Sequence, residues 1–146
     1  RFFPAVMTEE ESRAMWNRLR AELDEKGYGV YAVELKSSGS LIGLLGFHWA
    51  DFKADFTPCV EIGWRLVPEA WGHGYATEGA RACLEHGFAR LGLDRVYSFT
   101  ACVNLPSQAV MQRAGMRKTA EFNHPKVAPD SVLYPHVLYV REASHA

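Results

Sequence analysis

Residues 60–77 read VEIGWRLVPEAWGHGYAT, and the order of features in this stretch decides the fold. Its first part alternates as a β-strand does, and Pro68 ends that strand because proline cannot donate to a sheet ladder. A turn with Gly72 and Gly74 follows, and a helical pattern begins near Thr77. Glycines let the backbone come close to a ligand, and the first amides of a helix have no internal partner. This order therefore predicts an anion site, where the helix dipole favours phosphate.

The spacing of the glycines separates the families that use such a loop. The dinucleotide fingerprint requires a third glycine that the residues after Gly74 do not supply, and the P-loop requires a lysine, which is absent between Lys53 and Lys118. Residues 71–78 instead read WGHGYATE. This string resembles the pyrophosphate loop of the GNAT acetyltransferases, Q/R-x-x-G-x-G/A, and is most similar to the RimJ/RimL-type branch, where W-G-x-G-Y-A-T-E recurs. The alternative is a tight turn without a ligand.

Length and composition limit the class of protein. The 146 residues are enough for one domain with a hydrophobic core, and 48% hydrophobic with 23% charged residues are typical of a soluble globular protein. A net charge of −1 gives no electrostatic case for binding nucleic acid or an anionic membrane, and the apolar runs are too short to span a bilayer. Three cysteines without a C-x-x-C motif argue against a disulfide framework and fit a cytoplasmic protein.

Upstream of the deciding stretch, capping and alternation predict a helix and a hairpin. Thr8 and Glu11 form a capping box that begins the helix, and Gly27 ends it. The hairpin strands are 28–35 and 41–49. The polar segment 51–58 is predicted to be a surface loop.

Downstream, a helical pattern at 77–91 joins the strand 60–67 to a second alternating segment at 95–103. A strand, a crossover helix and another strand form a βαβ unit, so these two strands should be parallel. Two further strands are predicted at 117–122 and 131–140.

A second informative stretch, residues 104–116, reads NLPSQAVMQRAGM. A proline in its first turn and Gly115 at its end predict a short helix. The segment resembles the N-x-x-S/A…G-F segment that follows the fifth strand of GNAT proteins: Asn104, Ser107 and Gly115 match, and Met116 replaces the phenylalanine. Without the first motif, Asn104 and Ser107 would be interpreted as residues that only satisfy backbone groups.

Together the two motifs imply a GNAT-like α/β fold. In that family a mixed sheet of six or seven strands is flanked by helices, two central parallel strands splay apart, and the pantetheine of coenzyme A lies in the gap. The family's first strand and first helix have no counterpart before Arg1. Residues 1–146 are therefore expected to be a single GNAT domain that lacks them.

The resemblance also implies how acetyl-CoA is bound as cosubstrate. Backbone amides near Leu66 and Val67 would hold the pantetheine and thioester, the amides of residues 72–77 the pyrophosphate, and Asn104 the pantetheine arm. The predicted cofactor-binding residues are Leu66, Val67, Trp71, Gly72, His73, Gly74, Tyr75, Ala76, Thr77, Asn104 and Ser107. No metal is expected, because the six histidines form no ligand motif.

Two residues are predicted to be catalytic. Glu61 lies where several GNAT enzymes carry a general base, which removes the proton of the amine directly or through water; the alternative is a strand residue paired with a nearby arginine. Ser107 could hydrogen-bond the departing sulfur. Many GNAT enzymes place a tyrosine acid four residues further on, where this chain has Met111, so the role of acid falls to Ser107 or a water.

The activity implied by the resemblance is direct transfer of an acetyl group from acetyl-CoA to a primary amine in a ternary complex. The RimJ/RimL similarity favours the N-terminal amine of a protein or peptide as acceptor. A small amine such as an amino acid, polyamine or antibiotic is the alternative, and a catalytically silent CoA-binding module is the alternative outside enzymology. A homodimer is left open.

Overall fold

The computed structural model describes residues 9–26 and 29–143. The helices are α1 (Glu9–Lys26), α2 (Tyr75–Ala89) and α3 (Leu105–Arg113), and the strands are β1 (Val30–Glu34), β2 (Leu41–Ala50), β3 (Cys59–Leu66), β4 (Arg95–Ala101), β5 (Arg117–Asn123) and β6 (Pro135–Glu142). A 3₁₀ turn, Pro68–Ala70, follows β3. The predicted cap at Thr8 and helix end at Gly27 lie outside the described residues. Among those that are described, no helix has the length and apolar character needed to cross a membrane.

The six strands form one mixed sheet in the order β1-β2-β3-β4-β6-β5. β3 and β4 are parallel, and the other neighbouring pairs of described strands are antiparallel. The α/β fold, the hairpin and the parallel pair predicted from the sequence are therefore confirmed.

Several predicted boundaries shift for local reasons. α2 begins at Tyr75 rather than Thr77, because Gly74 adopts the left-handed conformation and ends the preceding turn. The last strand begins at Pro135 rather than at Ser131. Residues 131–134 instead form a turn. In this turn the Tyr134 amide donates to the Ser131 carbonyl, and the Leu133 amide donates to the Ser131 hydroxyl.

The parallel strands β3 and β4 separate soon after they meet. Within the described residues, their ladder aligns only Glu61 with Tyr97. One residue further, the buried Ser98 hydroxyl donates to the Ile62 carbonyl at 2.8 Å. A side chain thus satisfies a carbonyl at the point where the strands begin to diverge, which leaves the ends of both strands open toward a gap.

One face of the sheet carries the core. α2 buries Ala80 and Leu84 against Phe47 of β2 and Ile62 of β3, all fully buried. α3 adds Met111, which is 1% exposed and packs in the same cluster. Both helices therefore lie on the same side of β3 and β4, and the apolar side chains of α2 are buried there.

The opposite face carries a cluster of aromatic and imidazole rings. Its members are Phe52, Phe56, Tyr97, Phe99, Phe122, His124 and His136. Phe52 and Phe56 belong to the segment 51–58, which the sequence predicted to be a surface loop. They are instead half-buried in this cluster, because the β4 and β5 rings opposite them offer an apolar surface that the polar composition of the segment did not reveal.

The cluster holds two histidines side by side, with His124 and His136 ring centroids 5.0 Å apart. Burial lowers the pKa of His124 to about 4, and the neighbouring His136 and Lys126 add to the shift. Burial also lowers the pKa of His136. The His124 ring is therefore neutral in the folded protein at pH 5.5, whereas an unfolded histidine, of pKa about 6.5, is mostly protonated.

We expect the free energy of unfolding to fall as the pH drops from about 7 toward 4, because the unfolded chain binds more protons than the folded one in that window. Urea unfolding at pH 7.5 and 5.5 measures the fall. His124→Phe should reduce it, since a phenylalanine ring suits the cluster and does not titrate. His86→Gln, on the exposed surface of α2, is the control and should leave it unchanged. An undiminished fall in His124→Phe would contradict this account.

Candidate active site

A cavity of about 510 Å³ opens between the diverging ends of β3 and β4 and the N-terminal parts of α2 and α3. Its walls come from the end of β3, the loop after it, the first turn of α2 and one side of α3. The lining residues are Trp64, Arg65, Leu66, Ala70, Trp71, Gly72, Gly74, Tyr75, Ala76, Thr77, Asn104, Pro106, Ser107, Ala109, Val110 and Arg113. Every predicted cofactor-binding residue except Val67 and His73 is among them.

The glycine loop leaves open space above its backbone. Gly72 and Gly74 have φ values of 78° and 79°, which residues other than glycine adopt only at a cost in free energy. A Cβ added at either position would meet nothing within 4 Å. The backbone conformation thus requires these glycines, and the space beside them is free to receive a ligand.

The first turn of α2 directs backbone amides at this space. The first intrahelical bond of α2 runs from the Glu78 amide to the Gly74 carbonyl at 3.0 Å. The amides of Tyr75, Ala76 and Thr77 precede it, so they have no acceptor within the helix, and all three residues line the cavity. Three such amides at the positive end of a helix fit a pyrophosphate.

Trp71 ties this loop to the end of β3. Its indole Nε1 donates to the Leu66 carbonyl at 2.9 Å, while the residue stays 49% exposed. Behind it, Ala70 of the 3₁₀ turn is buried. The loop is therefore held against the sheet by a side chain that the sequence motif contained but did not explain.

Alternation along β3 decides which amides face the gap. The Val67 amide donates to the Ile42 carbonyl of β2 at 2.8 Å, so it is engaged in the sheet. In an antiparallel ladder the neighbouring residue points the other way, and Leu66 accordingly lines the cavity. A ligand extended along β3 would thus be held by Leu66 and not by the amide of Val67.

Asn104 shapes the far wall. Its side-chain oxygen accepts from the Ser107 amide at 3.3 Å and caps α3, and its Nδ2 donates to the Thr100 hydroxyl at 3.0 Å. Both polar ends of the side chain are therefore used to fix α3 on β4. The capping interpretation therefore holds for Asn104, and the binding of a ligand by Asn104 and Ser107, which lie together in the wall, stays a prediction.

Glu61 is not part of this cavity. Its neighbour Ile62 is buried in the core under α2, and successive strand residues point to opposite faces, so Glu61 lies on the face of the ring cluster. It is half-buried, opposite His48 on β2 and aligned with Tyr97 on β4. The structure therefore brings most of the predicted cofactor-binding residues together and places the predicted base on the other side of the sheet, where β3 and β4 begin to separate.

Three further placements complete the comparison with the sequence. His73 is exposed and stacks on Tyr75, with ring centroids 5.2 Å apart, outside the cavity lining. Met111 is buried in the core, so the position of the tyrosine acid does not face the cavity. Arg113 lines the cavity but was not predicted from the sequence. It lies three residues after Val110 and therefore on the same face of α3, and this spacing could have indicated it. Over the described ranges, no three potential metal ligands cluster.

Known proteins are similar to this chain in sequence and in fold. The sequence profile of the acetyltransferase (GNAT) domain family matches residues 1–117. The chain is 35% identical, over 80% of its length, to the uncharacterized N-acetyltransferase YnaD of Bacillus subtilis (strain 168), of which it spans 64%. The crystal structure of a GNAT-family acetyltransferase from Bacillus anthracis is 29% identical, with a TM-score of 0.74 over 94% of this chain and 76% of that one.

A third similarity concerns the fold alone. RimL, the ribosomal L7/L12 alpha-N-protein acetyltransferase solved in complex with coenzyme A, is 20% identical and superposes with a TM-score of 0.77 over 94% of this chain and 75% of that one. The family profile covers most of the chain. The chain belongs to the GNAT acetyltransferase family.

Proposed function

We propose that this protein transfers an acetyl group from acetyl-CoA to a primary amine, by direct transfer in a ternary complex. The observation that carries the proposal is the cavity between β3 and β4 that ends at the amides of Tyr75, Ala76 and Thr77. Such a cavity suits a long thioester whose pyrophosphate rests on the helix start and whose arm follows the end of β3.

The two faces of the sheet, on either side of the gap between β3 and β4, contribute different parts of the reaction. The thioester enters from the face that α2 and α3 cover, along the wall formed by Leu66 and Ser107. The amine approaches from the face that carries Glu61 and the ring cluster. The reacting atoms then meet in the gap beyond Ser98, where the strands no longer pair, and positioning of the two substrates contributes much of the rate.

Proton transfer is the chemical demand on the acceptor side. A primary ammonium, of pKa about 10.4, has no lone pair and must lose a proton before it attacks the carbonyl. Glu61, at the apex of the splay, accepts this proton directly or through a water. Backbone amides at the gap polarise the carbonyl as charge develops on its oxygen.

The leaving group is handled on the cofactor side. Ser107 lies half-buried in the cavity wall, and its hydroxyl can donate a hydrogen bond to a ligand in the cavity. The Met111 side chain is buried and cannot donate a proton. Ser107, or a water that it orients, therefore donates to the departing sulfur.

The acceptor is proposed to be the N-terminal amine of a protein or peptide. The support is the WGHGYATE string and the similarity in fold to RimL, which acts on a ribosomal protein.

The direct test is release of free thiol from acetyl-CoA over a panel of N-terminal peptides and small amines. We expect turnover with a subset of peptides. Acetyl-CoA at 100 times its Kd should also stabilise the fold by about 2.7 kcal/mol, since it binds only the folded state. Turnover only with small amines would reject the protein acceptor. Binding without turnover would indicate a silent CoA-binding module, and no binding would reject the proposal.

Gly74→Val should weaken acetyl-CoA binding at least about tenfold in calorimetry, because a branched side chain would occupy the space beside the amides of α2. The matched control is Gly92→Val. Gly92 has a φ of 69° and an equally open Cβ position, but it lies outside the cavity. Both variants should lose similar stability through backbone strain, and only Gly74→Val should lose affinity. Equal affinities in all three proteins would contradict the pyrophosphate assignment.

Glu61→Gln should lower kcat about 10²–10⁴-fold at neutral pH, the scale of general-base catalysis, with little change in acetyl-CoA affinity. The loss should shrink at high pH, where more of the amine is already neutral. Ser107→Ala should instead lose activity at every pH, because it acts on the leaving thiol. Glu34→Gln, exposed on β1, is the control. Near-parental turnover of Glu61→Gln at neutral pH would remove Glu61 from the mechanism.

A further inference from the structure

A second cavity, of about 580 Å³, adjoins the first at the start of α2. It is lined by Gly74, Thr77, Glu78, Arg81, Ala82, Glu85 and Arg113. Gly74, Thr77 and Arg113 line both cavities. The two cavities therefore form one groove that bends at the amides of the α2 start and continues between α2 and the C-terminal end of α3.

Two arginines meet in this second cavity. Arg81 Nε donates to the Arg113 carbonyl at 2.8 Å, which links α2 to the end of α3 and leaves the terminal nitrogens of Arg81 as further donors. Among residues 9–26 and 29–143, the Arg113 guanidinium has no hydrogen bond or ion pair. Two guanidinium groups at one end of an open groove suit a phosphate, which they bind through parallel hydrogen bonds.

We propose that Arg81 and Arg113 bind the 3′-phosphate of coenzyme A, so that this protein distinguishes coenzyme A from its 3′-dephospho form. The inference rests on the proposed function. With the thioester in the gap and the pyrophosphate at Tyr75–Thr77, the adenosine must leave the loop on the side of the second cavity. Arg81 lies one helical turn beyond Thr77, about 6 Å at 1.5 Å per residue, and helical side chains lean toward the N-terminus.

Two acidic residues of the cavity oppose the binding of this phosphate. Glu78 and Glu85 lie three and four residues from Arg81 on α2 and also line the cavity, so they face the same phosphate. Their like charge disfavours it, and the phosphate is retained only through the guanidinium contacts. Loss of one arginine should therefore weaken the binding of the phosphate strongly, and loss of one of these carboxylates should strengthen it.

The test is calorimetry of the parent and of Arg113→Gln with coenzyme A and with 3′-dephospho-coenzyme A. The parent should prefer coenzyme A by about tenfold, and Arg113→Gln should lose most of this preference and keep only the part that Arg81 contributes. Arg90→Gln, exposed at the end of α2 and outside both cavities, is the matched control and should keep the preference. The preference should also shrink at high ionic strength.

Glu85→Gln should instead increase the affinity for coenzyme A relative to that for the dephospho form, because it removes a negative charge that faces the phosphate. Equal affinity of the parent for both ligands would overturn this inference and leave the proposed function intact. A preference that is undiminished in Arg113→Gln would overturn it in the same way and indicate a phosphate bound elsewhere, for example near the His73–Tyr75 stack. Failure of the parent to bind either ligand would overturn the proposed function together with the inference.

Discussion

The separation of β3 and β4 is the constraint on which the rest of the structure depends. Two parallel strands normally continue their ladder to the end, but here the alignment is limited to Glu61 and Tyr97 among the described residues. The Ser98 hydroxyl takes over the Ile62 carbonyl immediately beyond. A buried carbonyl without a partner would cost about 1–3 kcal/mol, so this hydrogen bond lets the strands part without that cost. The candidate binding site is built beside the resulting gap.

The gap is suited to an anionic ligand only because α2 begins beside it. The left-handed Gly74 ends the loop and sets α2 so that its first amides face the cavity, while Trp71 fixes the loop on the Leu66 carbonyl. On the other wall, Asn104 caps α3 and binds Thr100. Each wall is thus held by a side-chain hydrogen bond to the sheet, which keeps the amides preorganised for an anion.

The two faces of the sheet have different chemistry. The α2 and α3 face carries the apolar core and the cavity, and the other face carries Glu61 and the ring cluster, in which burial lowers the pKa of both histidines. Under the proposed function, a thioester and an amine would approach from opposite sides and meet in the gap. This division would separate recognition of the cosubstrate by backbone amides from recognition of the acceptor by side chains.

The sequence by itself determined the parallel pair, the glycine loop and most of the cavity lining, because these depend on local features: alternation, a proline stop, left-handed glycines and a helix start. It could not decide which amide of the Leu66–Val67 pair faces the gap, because that depends on the register with β2. It also missed the burial of Phe52 and Phe56 and the meeting of Arg81 with Arg113, which are 32 residues apart. Only the tertiary structure decided these, since each is a contact between elements whose spacing along the chain carries no signal of their proximity.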